Sequence, residues 1–161
     1  IRQTDMQRML ALLESKRVVA INIVPDRNWN IKDADEKNIK VTNLGKAVAA
    51  AREIDFPLCV GTEMNKGGLP FVDNFAAPEL TPYVEDFIEG AYFFWGHTFL
   101  ARNASLGFAS EWARHHFGDD RAKKNQFYAK VGRLIRPSDS MELGGRPRSA
   151  SPGDILRALQ G

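Results

Sequence analysis

The chain has 161 residues, of which 43% are hydrophobic and 26% charged, and a formal net charge of +2, values ordinary for one soluble globular domain. No apolar run approaches the roughly 18 residues needed to cross a bilayer, and the first residues lack the basic-then-apolar layout of a signal peptide, so a cytoplasmic protein without membrane contact is expected. A single cysteine, Cys59, excludes an intramolecular disulfide and a cysteine-rich zinc site.

The charge is unevenly placed: residues 121 to 161 hold nine Lys or Arg against three Asp or Glu, which is +6 there and −4 over the remainder. A basic end of this kind can meet an acidic partner. The chain opens at Ile1, not at a methionine, which fits processing or a piece of a longer protein.

Thr4 and Gln7 have capping-box spacing, and Met6, Met9, Leu10 and Leu13 then recur at helical intervals, predicting an amphipathic helix over residues 5 to 15. "VVAINIV", residues 18 to 24, is apolar on both faces apart from Asn22 and predicts a strand of a covered parallel sheet, ended by Pro25. Asp33 with Glu36 is a second capping pattern; Ile39, Leu44, Ala47, Val48 and Ala51 carry a stripe through a long helix to about Ile54. Pro57 breaks that helix, and "LCVGTE", residues 58 to 63, predicts a second buried strand, in which Cys59 is a small hydrophobe and not a reactive thiol. Strand, helix and strand make a βαβ unit with a right-handed crossover.

Residues 64 to 80 show no period, and a connection that long inside a domain is often a lid or binding loop. From Thr81 and Pro82 a strong helix begins, with Val84, Phe87, Ile88, Ala91, Phe94, Trp95 and Phe99 on the expected inner face. Two more helices follow, about 108 to 117 and 120 to 135. Residues 137 to 151 have linker composition, and Ser151, Pro152 and Asp154 cap a last helix carrying Ile155, Leu156 and Leu159. The resulting expectation is an α/β fold: a parallel βαβ core of a partial (β/α) barrel or layered sheet, then a helix-rich C-terminal half. Its domains are 1–136, a linker over 137–151 and a short helix over 152–161. Two strands leave their edges unpaired, so further βα units, before Ile1 or from a partner chain, are expected to complete the sheet.

Both strands end in polar clusters, and parallel α/β folds bind ligands beyond the carboxyl ends of their strands. The first delivers Asp26, Arg27, Asn28 and Asn30; the second delivers Thr62, Glu63 and Asn65. Asp26 and Glu63 are hard oxygen donors suited to Mg²⁺, Mn²⁺ or Zn²⁺, or a general acid and base if their environments differ. Arg27 can grip an anionic group with two parallel hydrogen bonds, and Asn28, Asn30 and Asn65 can orient it. The bland alternative is that Asp26 and Asn28 close the turn while Glu63 pairs with Arg27 and ties two loops together. His97, in "WGHTF", is a further candidate metal ligand, although a lone histidine on an aromatic helix is more often a satisfied core residue. His115 and His116 suit a helix end without catalysis. Lys123, Lys124, Lys130, Arg133, Arg136, Arg146 and Arg148 raise nucleic-acid binding, but Phe127, Val131, Leu134 and Ile135 form a core stripe, which argues against it.

At "VPDRNWN" and "VGTEMN" the chain resembles the later βα units of metal-dependent α/β-barrel hydrolases, the amidohydrolase and polymerase-and-histidinol-phosphatase groups, over about residues 18 to 65. Those families activate water on divalent metals held at strand ends. Their early His-x-His pair is absent here and would have to precede Ile1. The resemblance implies a C-terminal portion of a hydrolase acting on a phosphoester or amide-type bond of a small anionic substrate. Glu63 and Asp26 would lie in the site with metal and Arg27 on the substrate. The rival expectation is a non-catalytic α/β module that binds a small anionic ligand or an acidic partner.

Overall fold

In the computed structural model, which describes residues 2–64, 67–136 and 149–160, the chain runs through helix α1 (Gln3–Ser15), strand β1 (Ile21–Ile23), the one-turn helix α2 (Asp26–Trp29), helix α3 (Ala34–Glu53) and strand β2 (Leu58–Val60). A 3₁₀ turn, Thr81–Tyr83, leads into α4 (Val84–Ala104), followed by α5 (Glu111–Phe117), α6 (Arg121–Leu134) and α7 (Pro152–Gln160). Its contacts divide it into two compact units, one through Ile88 and one from Glu89. Most of the linker expectation, residues 137–148, lies outside the described residues.

The chain is 63% helical, and its sheet is a single parallel pair in the register Ile21↔Leu58, Asn22↔Cys59 and Ile23↔Val60. The expected parallel βαβ core of a partial barrel or layered sheet is therefore overturned. Each strand is three residues long, and β1 leaves Asn22 exposed where a strand covered on both faces was expected. An apolar β-branched run says that something covers it, not that sheet neighbours and flanking helices do so.

Helices supply most of the first unit's core: Met6 and Leu10 of α1, Leu44, Val48 and Ala51 of α3, and Phe87 of α4 close on Ile23, Leu58, Phe56 and Leu80. The capping reading of α3 holds, since Asp33 accepts a hydrogen bond of 2.8 Å from the Glu36 N–H. The box of α1 lies two residues earlier than the spacing predicts, with Asp5 accepting from the Arg2 backbone N–H at 3.3 Å and from its guanidinium. Ile39, placed on the inner stripe of α3 by its period, is instead exposed.

In the second unit α4 and α6 pass each other at two glycines. A methyl group built on Gly96 would come within 2.7 Å of the Gly132 nitrogen, and one on Gly132 within 2.7 Å of the Tyr92 carbonyl carbon. That approach turns Phe93 and Leu100 inward while Ile88, Phe94 and Trp95, assigned inward by period, stay exposed. Phe93, Phe108, Phe127 and Tyr128 then form an aromatic core with ring centroids 5.1 to 6.1 Å apart. Ser110 and Asp120 cap α5 and α6 by accepting from the Ala113 and Lys123 N–H groups, and Ser151 with Asp154 caps α7, as its residues predict.

Candidate functional site

The polar stretch after β1 is helical. Pro25 already has helical backbone angles, and Asn28 N–H donates to the Pro25 carbonyl at 2.7 Å, so "DRNW" winds into the single turn of α2. Helical spacing then sorts its side chains. Asn30 donates to Asp26 one turn back at 2.8 Å, and Asn28 donates to the Val24 carbonyl at 2.9 Å. Arg27 projects to the end of β2, where its Nε and one terminal nitrogen both reach Glu63 Oε2.

Of the residues singled out by sequence, Asp26, Arg27 and Glu63 therefore do meet at one cleft. Asn28 is spent on its own turn, and Asn65 lies outside the described residues. His97 belongs to the second unit, where its Nδ1 accepts the Phe108 backbone N–H at 2.9 Å. Burial lowers its pKa, and the ring packs against Phe93 and Tyr128.

Asp73 is the cleft residue that sequence reasoning missed. It is buried, with 7% of its surface exposed, accepts the Trp29 indole N–H at 3.4 Å and draws the loop of residues 67–80 back over α2. Burial raises its pKa, and the Asp26 carboxylate raises it further against the hydrogen bonds it receives from Trp29 and the Asp26 backbone. Asp26, Arg27, Thr62, Glu63, Leu69, Pro70 and Asp73 enclose only about 10 Å³, room for one water at most.

Three carboxylates and one guanidinium line this cleft, so an anion held by Arg27 would have to displace Glu63 and face Asp26 and Asp73. A divalent ion at Glu63 would instead lie against the Arg27 charge. Among the described residues no trio of His, Cys, Asp and Glu is placed to hold a metal ion.

A ligand-sized space lies in the second unit. The chain leaves α4 through Ser105, whose φ is 59°, and the Leu106 N–H returns to the Leu100 carbonyl at 3.1 Å. This tight exit sets Ser105 and Leu106 opposite the first turns of α5. A cavity of about 460 Å³ opens there, lined by Ser105, Leu106, Ser110, Glu111, Trp112 and His115. Leu106 and Trp112 are its apolar lining residues, but both are buried and present little surface to it. Trp112 is fixed by its indole N–H on the Ala150 carbonyl at 2.7 Å, and the Tyr128 hydroxyl donates to the Leu106 carbonyl at 2.7 Å. The sequence signal was slight: two serines flank a turn, and His115 is explained equally well by the helix end.

Burial pushes the Cys59 thiol pKa up to about 11, which disfavours the thiolate. Among the described residues no helix is long and apolar enough to cross a membrane. No protein-family model, curated protein or solved structure matches the chain. The likeness to metal-dependent hydrolases thus rests on the residues of the 18–65 segment alone.

Proposed function

We propose that the chain is a non-catalytic module that binds a small molecule in its second unit, in the cavity between α5 and the exit of α4. The observation that carries this reading is volume. About 460 Å³ lies within the range of small-molecule sites, whereas the cleft at Arg27 and Glu63 encloses about 10 Å³. The lining joins apolar Leu106 and Trp112 to polar Ser105, Ser110, Glu111 and His115, which can orient a ligand. In the first unit the Arg27–Glu63 pair acts as a clasp that joins the end of β1 to the end of β2. Both side chains are exposed, so the clasp contributes no more than about 1 kcal/mol.

The test is a titration of the ¹⁵N-labelled chain with a library of aromatic fragments, followed by NMR. Shifts that cluster on residues 105–115 and include the Trp112 indole N–H are expected; hits that avoid this segment would overturn the reading. Metal analysis is the second arm. Stoichiometric Mn²⁺ or Zn²⁺ that disappears in Glu63→Ala, with hydrolysis of a phosphoester or amide, would replace the proposal with the hydrolase.

A further inference from the structure

Resting on that reading, we infer that the second-unit cavity selects a primary amine carried on a flat apolar body of one or two rings. Leu106 and Trp112 are the apolar groups of the lining, 1% and 7% exposed, so a small ring can meet only the part of them that reaches the cavity. Among the lining residues Glu111 carries the one formal charge. Its carboxylate is 95% exposed, and its partner Arg114 stands 3.8 Å away, at the outer limit of an ion pair. An arriving ammonium therefore meets a carboxylate held only loosely by its own neighbour.

The other cations of α5 do not contest this. Arg114 faces Glu111 and does not line the cavity, His116 is packed against Trp112 with ring centroids 4.8 Å apart, and His115, the one basic side chain of the lining, stands against His116 at 5.0 Å and shares the rim with Glu111. A carboxylate or phosphate ligand would face Glu111 directly, which reverses the anionic ligand that the sequence leads one to expect.

The hydroxyls complete the site. Ser110 is held in place, accepting the Ala113 N–H at 3.1 Å. Among the described residues the Ser105 hydroxyl is engaged with no other group, and Ser105 occupies a left-handed backbone position that glycine would take without strain. Ser105 is exposed and lines the same cavity as Glu111, so its hydroxyl can donate to or accept from a ligand there.

The experiment compares three probes sharing one ring system: tryptamine, its neutral isostere tryptophol, and indole-3-acetate. Binding is read by NMR shifts at Ser105, Ser110, Trp112 and His115. Tryptamine should bind about three- to fivefold more tightly than tryptophol at low salt, the range of one exposed ion pair. Indole-3-acetate should be weakest. Glu111→Gln, at an exposed position that the fold does not need, should make tryptamine and tryptophol equal. Equal affinities in the parent chain, or a preference that survives Glu111→Gln, would overturn the amine assignment while leaving the cavity a binding site. Absence of shifts with all three probes would overturn both.

Discussion

Arg17, Asp55 and Ser105 hold positive φ angles of 63°, 51° and 59°, a region in which a Cβ crowds the following carbonyl. Each follows a helix. After α1 the Val18 N–H returns to the Leu13 carbonyl and the Arg17 N–H to that of Glu14; after α3 Phe56 and Asp55 do the same with Ala51 and Arg52. These bonds satisfy carbonyls that a helix end leaves open, and they require a left-handed residue usually supplied by glycine. Arg17 is exposed, so Arg17→Gly should remove strain without removing packing and stabilise the chain by about 0.5–1 kcal/mol in urea denaturation. Asp73 offers a test by pH. Its pKa is raised in the folded state, so its contribution is complete below its ordinary value of 3.8 and is lost as pH rises through the folded value. Asp73→Asn cannot ionise; thermal melts from pH 3.5 to 7 should show its melting temperature gaining on the parent's as pH rises. A constant gap would mean that Asp73 does not titrate against folding. Neither Asp73 nor the three left-handed positions were legible beforehand, because each depends on what the chain beyond it packs against.

At the scale of elements, hydrophobic period found the helices but not always their inward faces. The repeat in α4 is real, yet Phe94 and Trp95 lie outside while Phe93 and Leu100 lie inside. A helix apolar around most of its circumference has no unique phase. Gly96 sets it, because only the absence of a side chain lets α6 approach there. Gly96→Ala should cost about 3 kcal/mol, since the atoms it meets are backbone that cannot move aside. Gly67→Ala, with nothing within 4 Å, should change stability by less than about 0.5 kcal/mol. Comparing the two in denaturant separates helix approach from the general effect of replacing glycine. The cap residues Asp33, Ser151 and Asp154 were legible because a cap is read over three or four consecutive residues.

Taken whole, the molecule relies on apolar burial within each unit and little on charge. The pairs Arg27–Glu63, Arg52–Asp86 and Arg133–Glu89 each keep at least one side chain about half exposed. Raising NaCl from 0.05 to 1 M should therefore shift unfolding free energy by no more than about 1 kcal/mol, once the salt's own effect on apolar surface is allowed for with a second salt. A larger loss would mean that these pairs act as a coupled network. The basic C-terminal region is likewise partly internal: Lys124 is buried with its amine 4.6 Å from the centre of the Phe108 ring, and burial lowers its pKa.

The sequence by itself determined the caps of α3 and α7, the breaks at Pro25 and Pro57, the parallel pairing of two apolar strands, though not their length, and the meeting of Asp26, Arg27 and Glu63 beyond them. All of these follow from neighbours in the chain or from the parallel direction of one strand pair. Only the tertiary structure decided that the two strands make a small pair on a helical body, that Arg27 closes on Glu63, and that the ligand-sized space lies beside Trp112. Those outcomes depend on distances between residues far apart in sequence, where one buried carboxylate or one missing Cβ changes which surfaces can touch.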